Sequence, residues 1–401
     1  MKEGPLWRNS PMKTWIRGGR ILTPDRSIED SVLVVTDGRI TAIEAGGQVA
    51  ENPPDTRIID ANGLWVAPGL IDVHVHGGAG SDVMDATPEA LHHMARFFIR
   101  QGVTAYLATT ITNSPEAIHN AIENVAHSSQ VEDGAQHLGV HLEGPYLCET
   151  FRGAQPAKWL RTPDPAEYLP WFESGAVRLI TAAPELPGVL ECIRGGIRRG
   201  IRFSAGHTDA NYIQVERAAD EGLSQATHTF NGMKGLHHRE PGAAGAVLVD
   251  ERIYAEVIAD GVHVHPAVFH LIVRAKGVER TILVTDAMRA AGLEDGQYDL
   301  GGQMVTVREG TARTATGGLA GSTLTLNLAV RNAMQFAGLS LNQALSMATT
   351  TPAAALGFSG RKGVIQPGAD ADIIFIDPDL NVKAAMVSGR MIDFFQTQER
   401  T

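Results

Sequence analysis

The chain has 401 residues, 43% of them apolar, enough for one large domain with a satellite or two to three ordinary ones around a substantial core. Its 34 basic and 45 acidic residues give a net charge of −11, and with no basic cluster this excludes a general nucleic-acid surface and leaves any anionic substrate to local donors. Two cysteines, Cys148 and Cys192, show no zinc-knuckle or redox spacing, and the opening MKEGPLWRNSPMKTWIRGGRIL contains neither a signal-type apolar region nor a membrane span, so a cytoplasmic protein with two free thiols is expected.

In chain order, residues 1–11 read as a disordered extension, with Met12 as an alternative start. From Thr14 to Trp65 short β runs such as SVLVVTDGRITAIEA are broken by turns, and Asp37-Gly38 is a hairpin signal, which together predict a small sheet domain. After Pro68 the rhythm changes to apolar runs alternating with helical segments, the first helix being TPEALHHMARFFIRQG with Leu91, Met94, Ala95 and Phe98 on one face. Eight candidate parallel strands follow, at 70–76, 103–110, 137–144, 177–185, 202–208, 225–231, 254–261 and 281–287. Eight βα units predict an α/β fold of the (β/α)8 TIM-like barrel type over residues 67–359. The final stretch, GVIQPGADADIIFIDPDLNVKAAMVSGRMI, returns to short strands, so 12–66 and 360–401 are expected to form a small β-sandwich together.

In such barrels the chemistry collects at the C-terminal ends of the strands. His74 and His76 end the first predicted strand, Glu143 the third, His207 the fifth, His228 the sixth and Asp286 the eighth. His74 and His76 share one strand face about 7 Å apart along the chain. Any one of these histidines alone is an ordinary packed residue on priors, but their convergence on one barrel mouth reverses those odds. Imidazoles with a carboxylate suit Zn²⁺ or Fe²⁺, and a position left to water defines a catalytic rather than a structural site. His92 and His93 fall on a helix, His141 reads as a packed histidine, and Cys148 has no companion base.

The ordered series PGLIDVHVHG, HLEGPYL, SAGHTDA, THTFNGM, HHREPGAAGA, IADGVHV, LVTDAM and LAGST resembles the N-acetylglucosamine-6-phosphate deacetylases of the amidohydrolase superfamily, from about Thr14 to the end. The resemblance implies Glu143, His207 and His228 as principal metal ligands, Glu143 standing where other superfamily members bridge with a carboxylated lysine. It implies His74 and His76 as a pair that holds a second metal, so one or two divalent ions, Zn or Fe, per chain. It implies Asp286 as the catalytic aspartate. Substrate contacts are implied at Ala154, Gln155, Asn231, Gly232, Arg239, His263, Leu319, Ala320 and Gly321. Gly232 replaces a common Ala, which is expected to be harmless, and Gln155 replaces a His of some members, which changes the donor near the acetamide.

On this reading the substrate is N-acetyl-D-glucosamine 6-phosphate, deacetylated in amino-sugar catabolism or cell-wall recycling. Asp286 accepts a proton from water and passes it to the leaving amine. Arg239 offers a planar fork for phosphate, with an ion pair to Glu240 or a subunit contact as the structural alternative. A homodimer is expected, in which His237 and His238 could reach the other copy's substrate. The nearest rival is the N-acetylgalactosamine 6-phosphate epimer. Glu143 with the Asn231 and Arg239 set argues against a cyclic-amide hydrolase or a nucleobase deaminase, and the presence of every ligand argues against a noncatalytic scaffold.

Overall fold

The computed structural model describes residues 13–24, 26–45 and 56–394. The expected extension at 1–11 lies outside them. Eight parallel strands follow one another around a barrel in chain order: β1 (Leu70–Val75), β2 (Val103–Thr110), β3 (Gln136–Glu143), β4 (Val177–Ala182), β5 (Arg202–Ala205), β6 (Gln225–Ala226), β7 (Tyr254–Ile258) and β8 (Thr281–Val284). The seam between β8 and β1 is closed just past the strand ends, where Asp286 N–H donates to the His74 carbonyl and His76 N–H to that of Ala287, both at 2.9 Å. The strands are buried on both faces, as a barrel coated with helices requires.

The helices alternate with the strands: α1 (Pro88–Arg100), α2 (Pro115–His127), α3 (Pro165–Glu173), α4 (Val189–Ile197), α5 (Tyr212–Asp220), α6 (Gly242–Val249), α7 (Pro266–Lys276) and α8 (Leu326–Ala337). Four of them begin with the same device, a capping side chain followed by proline at the first helical position: Thr87-Pro88, Ser114-Pro115, Asp164-Pro165 and His265-Pro266. The cap satisfies a free backbone N–H and proline brings a helical φ without needing a hydrogen-bond partner. α1 buries Leu91, Met94, Ala95 and Phe98 against the barrel, the face its spacing predicts.

The termini build two further sheets. Strands Arg39–Ala45, Ser31–Thr36, Lys13–Arg17 and Thr56–Asp60 form one, and Asp37-Gly38 makes the expected hairpin with φ of 49° and 78°. In the other, Ile373–Ile376 lies antiparallel to Trp65–Pro68, joining the C-terminal strands to the N-terminal ones. Ile16, Leu33, Val35 and Ile40 pack with Val66, Ile373, Phe375 and Met386 in one core between the sheets, a sandwich adjoining the barrel.

Two features depart from expectation. The fourth to eighth strands end at Ala182, Ala205, Ala226, Ile258 and Val284, short of the predicted 185, 208, 231, 261 and 287. After the fifth, sixth and eighth the chain leaves extended geometry because His207, His228, Phe230 and Asp286 take left-handed φ of 48°, 32°, 78° and 49°. Between β8 and α8 a three-stranded antiparallel sheet is inserted, Gly296–Leu300, Gln303–Arg308 and Thr311–Thr314. Its turns at Gly301-Gly302 and Glu309-Gly310 have positive φ throughout, the hairpin signal that makes this insert readable in hindsight.

Candidate metal centre and active site

The strand-end residues converge. His74 is carried by β1 and points into the barrel, His76 follows one residue after that strand, and Glu143 is the last residue of β3. The left-handed turns at His207, His228 and Asp286 bend the chain over the barrel mouth, aiming these three side chains inward. Backbone in this region is costly for residues other than glycine and persists where the surrounding fold over-determines it, commonly at functional sites.

Two donor groups result, Glu143 with His207 and His228, and His74 with His76 and Asp286, all six buried. In the first, Glu143 Oε1 lies 3.1 Å from His207 Nε2 and 3.0 Å from His228 Nε2, and the two nitrogens are 3.1 Å apart. In the second, His74 Nε2 and His76 Nε2 are 3.4 Å apart and lie 3.5 and 3.2 Å from Asp286 Oδ1. Glu143 belongs to both, because its Oε2 is 3.2 Å from His76 Nε2. Donors bound tetrahedrally at 2.0–2.1 Å stand about 3.3 Å apart, so both groups have the spacing of a coordination shell.

The outer nitrogens decide which proton state each ring has. Nδ1 of His207, His228 and His76 face the carbonyl oxygens of Phe151, Asn231 and Thr109 at 3.0, 3.0 and 3.2 Å. A carbonyl only accepts, so each Nδ1 carries hydrogen, and in the neutral ring each Nε2 then turns a lone pair toward the centre. His74 Nδ1 instead meets Glu256 Oε2 at 3.2 Å. Four lone pairs and two carboxylates within such distances repel unless positive charge lies among them, which is the chemistry of a divalent-cation site.

The electrostatics express the same demand. Burial pushes the Glu143 carboxyl up, but His74, His207, His228 and His76 outweigh it and hold it well below the usual range. Burial likewise opposes ionisation of Asp286, and His74 and His76 reverse this, leaving it lowered. His228 is disfavoured as a cation by burial, yet the Glu143 carboxylate raises it to about 9. His141 behaves otherwise: burial and the neighbouring His74 imidazole push it well below its usual value, and its Nε2 lies 2.7 Å from Thr181 Oγ1. It is a packed, neutral histidine beneath the centre.

The centre opens into a cavity of about 300 Å³ lined by His76, Glu143, His207, His228 and Asp286, at the lower end for a small-molecule site. Among the expected substrate contacts, Ala154, Gln155, Asn231, Gly232, His263, Leu319 and Gly321 line it. Ala320 does not; it is buried in the core of the inserted sheet. Arg239 does not line it either. It is exposed on the loop before α6, with its guanidinium 2.8 Å from His238 Nε2, and no lysine or arginine is among the described residues around the cavity.

The two departures noted in the sequence acquire physical content. Gln155 is buried, receives Thr112 N–H at 2.9 Å and donates to Glu143 Oε2 at 2.6 Å, so it orients the shared carboxylate. Gly232 is not a neutral replacement for alanine in this chain. Its φ is +58° and an added Cβ would lie 2.8 Å from His207 Nδ1, so alanine there demands movement of a donor ring.

Sequence reading did not single out Glu256, Thr109 or Asp72. Glu256 and Thr109 orient the second pair of histidines. Asp72 accepts from Thr285 Oγ1 at 2.6 Å, Thr285 N–H at 3.4 Å and His74 N–H at 3.2 Å, tying β1 to β8 beneath that pair. An acid inside an otherwise apolar barrel strand was the available signal for Asp72 and Glu256. Thr314, Thr316 and Gly318 from the inserted sheet and its loop also line the cavity.

The amidohydrolase family model matches residues 65–392. N-acetylglucosamine-6-phosphate deacetylase of Vibrio furnissii is 41% identical over 380 residues, 94% of each chain. N-acetylgalactosamine-6-phosphate deacetylase of Escherichia coli O157:H7 is 40% identical, covering 94% of this chain and 99% of its own. The crystal structure of N-acetylglucosamine-6-phosphate deacetylase from Pasteurella multocida superposes with a TM-score of 0.90 at 31% identity, covering 95% of this chain and all of that one. A family of metal-dependent hydrolases accounts for a barrel mouth with two donor groups, and the chain belongs to the amidohydrolase family, grouped within it with the N-acetylglucosamine-6-phosphate deacetylases.

Proposed function

We propose that this protein hydrolyses the acetamide of N-acetyl-D-glucosamine 6-phosphate to D-glucosamine 6-phosphate and acetate. The observation that carries the reading is the convergence of the two donor groups, with Asp286 among them, at the base of a cavity sized for a sugar. The kinship with deacetylases of such substrates supports it.

Glu143, His207 and His228 would hold one divalent ion, Zn²⁺ or Fe²⁺, and His74, His76 and Asp286 a second, with Glu143 shared between them. The donor set supports the higher count: each group brings three buried ligand atoms within 4.8 Å of one another. A bound ion lowers the pKa of water from 15.7 to about 7 and polarises a carbonyl oxygen. Asp286, ionised and facing the cavity, accepts the proton of the attacking water and delivers it to the amine nitrogen as the C–N bond breaks. Gln155 keeps Glu143 turned so that each oxygen addresses one donor group.

The sugar would be held by several weak contacts. Asn231 Nδ2 is buried without a partner among the described residues. His263 is fixed by a 2.6 Å contact from Nδ1 to Asp260 Oδ2, which turns its other ring nitrogen outward for a ligand. Backbone N–H groups near Gly232 and the wall at Leu319 and Gly321 complete the contacts supplied by one copy. A dianionic phosphate calls for a cation that these residues do not include. We therefore retain the homodimer as part of this reading, with the exposed His237, His238 and Arg239 of one copy placed to meet the phosphate of the other. A cytoplasmic protein with Cys148 and Cys192 as thiols completes it.

The test is release of acetate and glucosamine 6-phosphate in equal amounts from the metal-loaded protein, followed by mass spectrometry. The relative named for the galacto epimer at 40% identity favours a second substrate, and kcat/KM values for the two sugar phosphates measured side by side rank them.

A further inference from the structure

The four converging histidines are not supported alike. Three present Nδ1 to neutral backbone carbonyls, whereas His74 presents it to a carboxylate, Glu256 Oε2, at 3.2 Å. Both partners are fully buried, at 0% exposure. Glu256 belongs to β7 and His74 to β1, so the contact crosses the barrel interior below the cavity. The Glu256 backbone carbonyl meanwhile accepts Thr229 N–H at 2.7 Å, bracing the turn that carries His228. Glu256 Oε1 has no hydrogen-bond partner among the described residues, so the one side-chain hydrogen bond of this carboxylate among them goes to His74.

A buried carboxylate without a cation beside it is expensive, and replacing it by a neutral acceptor would relieve that cost. Its retention makes sense where it raises the basicity of an imidazole whose other nitrogen donates to a metal. We infer that Glu256 is a positioning residue that confers on the His74, His76 and Asp286 group its affinity for a second divalent ion, while the Glu143, His207 and His228 group holds its own ion without it. This rests on the two-ion reading above. Glu256 touches neither cavity nor substrate; it acts through His74, by fixing hydrogen on Nδ1 and polarising the Nε2 lone pair toward the centre.

Glu256→Gln keeps the side-chain shape and the backbone carbonyl but removes the charge. Wild-type and variant protein are loaded with Zn²⁺ alone, dialysed, counted by metal mass spectrometry and titrated with a competing chelator. The expected result is two ions per chain in wild type and one in Glu256→Gln, the second ion being bound about 10–100-fold more weakly and the first unchanged. Two ions with unchanged competition in the variant overturn the inference. One ion in the wild type overturns the two-ion reading and the inference with it, and neither outcome depends on the deacetylase assay. A wild-type measurement guards against a variant that does not fold: in Zn²⁺-loaded protein labelled with ¹⁵N-histidine, His74 should show hydrogen on Nδ1 and metal on Nε2, assigned by its loss in His74→Asn. Hydrogen on His74 Nε2 contradicts the inference.

Discussion

The two donor groups share a carboxylate but are built in different ways. His207 and His228 ride on left-handed turns just beyond short strands and lean on loop carbonyls. His74 rides on a regular strand, fully buried, and leans on Asp72 and Glu256, two acids of the barrel interior. The histidines of the first group therefore depend on backbone geometry that few residues tolerate, and His74 of the second on buried charge. Substitutions that disturb backbone should damage the first, and substitutions that remove charge should damage the second.

The largest expected effect comes from the residue the groups share. Glu143→Gln should lower kcat/KM by about 10⁴-fold, the several kcal/mol expected of a lost metal site, and metal analysis should show both groups depleted. Asp286→Asn should separate chemistry from the first ion: kcat falls by about 10²–10³-fold with loss of the proton shuttle, while the ion of Glu143, His207 and His228 stays. Near-normal turnover in this variant contradicts the role given to Asp286.

Arg239→Ala should leave the metal content of both groups unchanged and raise KM for the phosphorylated sugar about 10–100-fold with kcat little altered. An unchanged KM rejects a phosphate role for this exposed arginine. Gly232→Ala tests the backbone half of the comparison. The added Cβ presses on His207 Nδ1, so chelator titration should show the first ion weakened by about tenfold, the scale seen when a ligand's support is disturbed, and the second little affected.

The last effect is one of stability rather than of metal or turnover, and belongs to the charged half. Burial, opposed only in part by Thr285 and His74, pushes the Asp72 carboxyl from 3.8 up to about 7. Because the folded value lies above the unfolded one, the contribution is full below about pH 4 and is lost as pH rises through about 7. The shift corresponds to about 4 kcal/mol at most. In metal-free protein, urea unfolding at a series of pH values should show this loss, and Asp72→Asn should flatten it.

The barrel was legible because its strands are apolar runs bounded by glycines and prolines, and its helices announce themselves by cap-proline pairs such as Thr87-Pro88. The donor residues were legible because they fall at strand ends, where the fold gathers them. Strand length was not: THTF has strand-like composition, but the turn at His228 and Phe230 is imposed by the centre it serves. Glu256 was harder to read for another reason: an acid in the apolar run YAEVIADG stands out, but its partner His74 lies 182 residues away, so the sequence does not show what it braces. Arg239 shows the limit from the other side: its residue type fits phosphate, yet the chain places it on an exposed loop outside the cavity lining.

The central claim is that this metal centre deacetylates an amino-sugar phosphate. The direct measurement is acetate release from N-acetyl-D-glucosamine 6-phosphate by protein whose metal content has been counted. The expected result is one acetate per glucosamine 6-phosphate formed, lost on chelation, restored by Zn²⁺ or Fe²⁺, and almost absent in Asp286→Asn. Fully metal-loaded protein that releases no acetate from this sugar phosphate would contradict the account.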